Sequence, residues 1–260
     1  MKEIVSFFRS FIVAFSIYSK IPMPRFEWDG SDMRYHLVFF PFVGAIAGAI
    51  GIGCYHLSLI CGAERLPFVL IAGALIILFT GGLHIDGMMD TMDAIHSYQP
   101  KEKKLEIMKD PHVGAFAIIS LAVYLMLFIA FVYDITDKSA WYILCSAPVI
   151  SRALCGLLIM TTKNAKDEGM LKAETKDSPK RLIIAFLTVE LVIILALVGL
   201  LSIIATGALI IVQLLVLVFY RRMACRQFGG MSGDLAGCYV CVSELFTAFT
   251  LFVLGKGGIL

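Results

Sequence analysis

Apolar residues run along this chain in long blocks, separated by short polar stretches. The blocks fall at 36–60, 67–85, 114–133, 140–161, 182–201, 204–220 and 235–255. Most match the roughly 20 residues that an α-helix needs to cross about 30 Å of hydrocarbon. A membrane β-barrel would show short strands of alternating polarity instead. The pattern therefore predicts an all-α, polytopic membrane bundle of about seven transmembrane helices. The apolar run from Leu182 to Tyr220 is too long for one helix. The small and flexible residues of "SIIATGAL" predict a tight reversal near Thr206–Gly207. Residues 4–19 are short for a crossing, and they predict an N-terminal helix lying in the interface. Glu3 and Arg9 interrupt the N-terminal stretch "MKEIVSFFRSFIVAFSIYSKIPMP" and no small-residue cleavage site follows, so it does not read as a signal peptide. No repeat and no low-complexity linker divides the chain. Residues 1–260 are read as one membrane-embedded domain.

Composition agrees with the pattern. Hydrophobic residues make up 59% of the 260 and charged residues only 16%, against about 45–50% and about 25% in soluble domains. A net charge of +2 indicates no nucleic-acid partner, and the bilayer is the expected environment. The placement of charge says more. Sixteen Lys and Arg fall in the segments 20–35, 86–113, 162–181 and 221–234, which alternate spanning puts on one side. Only Arg65, Lys138 and Lys256 fall on the other. Such segregation places the long polar loops in the cytoplasm. The seven cysteines sit mostly in or beside apolar blocks, as small hydrophobes do. Cys238 and Cys241 form a CxxC, but no second pair completes a zinc site.

One polar loop is chemically unusual. "GGLHIDGMMDTMDAIH" (81–96) carries Asp86, Asp90 and Asp93 at i, i+4 and i+7. At 100° per residue these fall within about 60° of one another on a helix. No Lys or Arg occurs from Gly81 to Pro100 to neutralise them. Like charges this close, beside lipid, call for a cation. Hard oxygen ligands suit Mg²⁺, or Mn²⁺ in its place. His84 lies about 160° from Asp86 on an unbroken helix and joins the stripe only if a glycine breaks it.

Three further groups are candidates. "LEIMKDPHVGAFA" (105–117) brings Glu106, Lys109, Asp110 and His112 ahead of a span. Asp110–Pro111 reads as a helix start, either a plain cap or a phosphate site completed by Lys109. In "FGGMSGDLAGCYVCVSEL" (228–245), Asp234 reads as an N-cap or a site residue, and Glu244 lies about 15 Å further along the helix. Arg152 and Glu190 both fall inside spans. They predict either a mutual ion pair or, for Arg152, a bidentate hold on phosphate.

Together these stretches, in this order and spacing, resemble the cobalamin synthase family of adenosylcobinamide-GDP ribazoletransferases, over nearly the whole chain. The family's H-x-D-G-x-x-D-x-x-D pattern falls on His84, Asp86, Gly87, Asp90 and Asp93. Its second motif falls on Glu106, Lys109, Asp110 and Gly114, and its third on Gly233, Asp234 and Glu244. The chain departs from the family at Pro111–His112, where Ser-Arg is common. The resemblance implies a Mg²⁺-dependent transfer in the last steps of cobalamin biosynthesis. Adenosylcobinamide-GDP and α-ribazole, or its 5′-phosphate, give adenosylcobalamin, or its 5′-phosphate, and GMP. On this reading Asp86, Asp90 and Asp93 hold the metal, and Asp93 or His84 handles the proton of the attacking hydroxyl. Lys109, Asp110, His112, Arg152, Asp234 and Glu244 bind phosphate or substrate. An oligomer is compatible with it.

Two other readings compete. CDP-alcohol phosphotransferases of lipid synthesis also set an Asp stripe at a helix end. Their pattern requires Ala-Arg where this chain has Thr91-Met92 or Asp90-Thr91. A cation-coupled transporter would gather polar residues near the midplane on paired broken helices, whereas here the acids collect mainly at one edge.

Overall fold

The computed structural model describes residues 2–28, 30–165 and 178–260. Among these are ten α-helices and no strand beyond an isolated bridge between Asn164 and Met231. They are α1 (Lys2–Tyr18), α2 (Phe40–Cys61, entered through a 3₁₀ turn at His36–Phe39), α3 (Arg65–Thr80), α4 (Leu83–His96) and α5 (Lys101–Ile107). Then come α6 (Ala115–Asp134), α7 (Lys138–Thr161), α8 (Lys180–Leu201), α9 (Ile203–Gln227) and α10 (Gly233–Lys256). Helix α2 with its 3₁₀ turn and α6 to α10 are each long and apolar enough to cross a membrane, and α3 with α4 makes a seventh, bent candidate.

The bundle is built around α7. Of its apolar window 83% is buried, against 11% for α6 and 17% for α8. Helix α7 packs on α2, α8 and α10. Gly44 and Gly48 bring α2 against the backbone carbonyls of Pro148 and Cys145, the close small-residue approach that drives helix association in lipid. The lipid-facing helices instead expose Ile118, Val123, Val189, Ile193 and their neighbours.

Two boundaries differ from the sequence expectation. The 67–85 block is not one straight helix. Gly81 (φ 66°) and Gly82 (φ 76°) close α3 with bonds back to Leu78 and Ile77, and α4 leaves at 89°. Consecutive left-handed residues suit glycine, which has no Cβ to clash. The reversal between α8 and α9 lies at Ser202, not Thr206–Gly207. Ser202 is extended (φ −159°, ψ 111°), and its hydroxyl accepts from the Ala205 N–H at 3.2 Å. A capping serine starts a helix more decisively than a glycine, whose helical penalty is only about 1 kcal/mol, stops one.

The N-terminal helix is tied down by polar contacts. Ser10 Oγ donates to the Asp32 carbonyl at 2.6 Å, Ser6 Oγ donates to the Ser31 carbonyl, and Arg9 pairs with Asp32 at 3.4 Å. Phe8 and Phe11 remain exposed. The expected Arg152–Glu190 pair does not form. Arg152 Nη1 meets Glu244 Oε1 at 2.8 Å instead, because α7 faces α10 through Arg152.

The longer loops gather at one end of the bundle with α4 and α5. Lys104 Nζ donates to Gln227 Oε1, Arg221 Nη2 to the Thr161 carbonyl at 3.0 Å, and Met231 N to the Lys163 carbonyl at 2.8 Å. The other end has short turns at 62–64, 135–137 and Ser202. Lys256 pairs with Asp134 there at 2.7 Å. The cationic loops counted from the sequence thus share one end. Lys166, Lys172 and Lys176 of that count lie outside the described residues.

Candidate functional site

Helix α4 builds the site. Its bend away from α3 takes it out of the spanning segment and lays it across the loop-bearing end of the bundle. It runs helically through Gly87, so Asp86, Asp90 and Asp93 do form one stripe. Asp86 is exposed, while Asp90 and Asp93 are half-buried. Gly87 permits the closest packing in the site. A Cβ there would stand 2.7 Å from the Asp234 carbonyl oxygen and 2.9 Å from its Cα. That contact brings the first turn of α10 against α4 and adds a fourth carboxylate. Burial, followed by the charges of Asp86, Asp234 and Asp93, pushes the Asp90 carboxyl up to about 6. Asp234 is not the helix cap expected as one of its readings. Ser232 caps α10, accepting from Leu235 N at 3.3 Å.

Asp93 is engaged differently from its neighbours. Its Oδ2 accepts from Gly114 N at 2.6 Å and its Oδ1 from Ala117 N at 2.8 Å, at the start of α6. The predicted helix start at Asp110–Pro111 is therefore displaced to Ala115, and the cap comes from α4 rather than from Asp110. Asp110 instead accepts from His112, through the backbone N–H at 3.0 Å and with Nδ1 at 2.6 Å. These bonds hold the Asp110 carboxyl below its usual range. Lys109, Asp110 and His112 are all exposed on the α5–α6 loop. Glu106 is exposed too and is paired with Lys103 at 2.7 Å.

His84 lies apart from the stripe. With no break at Gly87, its ring turns inward, buried, and stacks on Phe40 at 5.7 Å between ring centres. Gly237 of α10 packs against its backbone. Arg152 is buried nearby, its guanidinium 5.6 Å from the centre of the same Phe40 ring. Besides Glu244, it donates to the Pro148 carbonyl at 2.9 Å, and Ser151 Oγ donates to the same Glu244 oxygen at 3.0 Å. His84, Arg152 and Glu244 line an apolar cavity of about 320 Å³ with Thr80, Tyr124 and Trp141. None of Asp86, Asp90, Asp93 or Asp234 lines it. The expected site residues thus fall into three groups: the α4–α10 carboxylates, the 109–112 loop joined to them through Asp93, and the interior group.

Two cations that the sequence reading passed over lie near the site. The Lys20 side chain rests on Gly81, where α4 begins, and Lys101 rests on Gly229, just before α10. Neither contact has a local sequence signal, since each is made across the fold. Among the described residues, no three His, Cys, Asp or Glu side chains converge as a closed metal cage. The carboxylates therefore offer an open set of hard oxygen donors. That set fits Mg²⁺, which is commonly held by one or two carboxylates together with substrate phosphates and water.

Comparison with known proteins identifies the family. The family model described as cobalamin-5-phosphate synthase matches residues 10–252. A relative from Lachnoclostridium phytofermentans, named adenosylcobinamide-GDP ribazoletransferase, is 41% identical over 95% of this chain and 94% of its own length. Proteins of the same name from Clostridioides difficile and Geobacillus thermodenitrificans are each 31% identical, over 95% and 88% of this chain and 98% and 89% of their own lengths. No solved structure matches the chain. A match spanning almost every helix, with the carboxylate stripe, the 105–117 motif and the α10 motif inside it, makes this chain a member of the cobalamin-5-phosphate synthase family.

Proposed function

We propose that the protein transfers the cobinamide phosphate of adenosylcobinamide-GDP to α-ribazole or its 5′-phosphate, releasing GMP. The observation that carries this reading is the close packing of α10 at Asp234 on Gly87, between Asp86 and Asp90 of α4, in a chain of this family. The reading places that end of the bundle in the cytoplasm, where nucleotides are found. Neither rival, a CDP-alcohol phosphotransferase or a transporter, finds support among the relatives.

The reaction breaks a diphosphate and makes a phosphodiester. A ribose hydroxyl of the acceptor attacks the phosphorus on the cobinamide side. The P–O bond to the guanylate phosphate breaks, GMP leaves with the bonding pair, and the hydroxyl proton passes to a carboxylate of the cluster. Asp86 and Asp90 would hold Mg²⁺ together with substrate phosphate and water, and the ion when bound would neutralise charge on the diphosphate oxygens. Among the described residues the side chains of Asp86 and Asp90 accept no hydrogen bond, so their oxygens are available for that role. Lys109 and His112, exposed on the α5–α6 loop, would bind the diphosphate. Arg152 and Glu244 are committed to each other in the interior, and they support α7 against α10 rather than gripping phosphate. His84, turned inward, anchors α4 to Phe40.

The test is GMP release by the purified protein in detergent, supplied with adenosylcobinamide-GDP, α-ribazole and Mg²⁺. Release that stops on chelation and returns with Mg²⁺ or Mn²⁺ is expected. A protein that binds both substrates in Mg²⁺ yet frees no GMP would rule the reading out.

A further inference from the structure

Asp86, Asp90 and Asp93 are equivalent in spacing but not in surroundings. Both Asp93 oxygens are occupied by backbone N–H groups of another helix, at 2.6 and 2.8 Å. Helix α6 has no cap of its own, because its N-cap position is Gly114. A side-chain carbon at Gly114 would collide with the Asp93 carboxylate, so the glycine admits a cap supplied from α4. One turn further on, His96 of α4 stacks on Phe116 of α6 at 4.8 Å and 7°. The two helices are thus fastened by a charged cap and a ring stack on one side of α4. The rest of α6 is mostly lipid-facing, so this junction fixes its first turn. Directly upstream of Gly114 lies the loop with Lys109, Asp110 and His112.

We propose that Asp93 is a positioning residue: it locks the 108–114 loop and the start of α6 to the carboxylate helix, and it neither ligates the ion nor receives the proton. The proposal rests on the reading of Asp86 and Asp90 as the ion and diphosphate site. An N–H pair at a helix N-terminus is a favourable partner for a carboxylate. A carboxylate that turned to the metal would leave both N–H groups unpaired at a packed junction, which is unfavourable. Asp93 therefore acts on substrate through the loop it holds.

The experiment compares wild type with Asp93→Asn and Asp93→Ala. Asparagine keeps one acceptor oxygen at the same length, and alanine keeps none. Three quantities are read: amide hydrogen exchange of residues 108–117, KM for adenosylcobinamide-GDP, and the Mg²⁺ concentration giving half-maximal GMP release. Asp93→Ala is expected to speed exchange at 114–117 at least tenfold and to raise KM about tenfold. Asp93→Asn is expected to stay within about threefold of wild type in both. The Mg²⁺ requirement should stay within about twofold in either variant. The proposal is overturned if Asp93→Asn loses as much turnover as Asp93→Ala, if the Mg²⁺ requirement rises tenfold, or if Asp93→Ala leaves exchange at 114–117 unchanged. The isosteric asparagine keeps the comparison decisive should the alanine variant not fold. If wild type itself frees no GMP, the functional reading fails, while the exchange data still decide whether Asp93 holds the loop.

Discussion

Asp90 is half-buried beside three other carboxylates, and its raised pKa records the burial first and their repulsion second. That repulsion is a stability deficit retained for function. Asp90→Asn should therefore do two things at once. In metal-free buffer it should raise the melting temperature, by about 2–4 °C for each kcal/mol of repulsion removed. With substrates and Mg²⁺ it should lower turnover at least about a hundredfold. A calorimetric scan beside a GMP assay checks both. The Arg152–Glu244 pair behaves in the opposite way. Arg152→Met alone strands a carboxylate in the bundle interior and should destabilise by about 3–5 kcal/mol. Arg152→Met with Glu244→Leu should recover most of the loss, as followed by unfolding in detergent. At this scale the sequence was half legible. The stripe could be read because i, i+4 and i+7 share a helix face whatever surrounds them. The N–H partners of Asp93 lie 21 and 24 residues away, and the preference of Arg152 for Glu244 over Glu190 depends on which helix faces α7. Neither choice is encoded in local spacing.

Helices α4 and α10 meet backbone to backbone at Gly87, and the site depends on that approach. Gly87→Ala places a methyl 2.7 Å from a carbonyl oxygen that cannot rotate away. The helices must separate, at a cost of about 1–3 kcal/mol, and Asp234 moves off Asp90. Lower thermal stability together with reduced GMP release is the expected result. Substitution at Gly207, where a Cβ would meet nothing within 4 Å, should leave release unchanged and serves as the control. The spanning helices were legible, since hydropathy alone marks a span, whereas the short polar α5 (Lys101–Ile107) was not. The ends were less so. The 67–85 block read through Gly81–Gly82, where the chain turns, and the reversal was placed at Thr206–Gly207, where the chain stays helical, because local sequence does not say which flexible residue turns and which rides inside a helix.

For the whole molecule, charge segregation and helix order agree on two unlike ends. Cys61 offers a direct test, because it is exposed at the end opposite the carboxylates. A membrane-impermeant maleimide applied to intact cells should label it, while the buried Cys238 and Cys241 should react only after unfolding. Labelling of Cys61 only from inverted vesicles would reverse the proposed orientation. The turn at Gly81–Gly82 has one more consequence. Because α4 departs from the axis of its neighbour, the acids form a shelf at the water's edge rather than a shaft through lipid. On the proposed reading, a substrate too large for one small pocket can then reach them without entering the bilayer. On that reading the spanning helices act as a mooring, and the catalytic work is done on the quay.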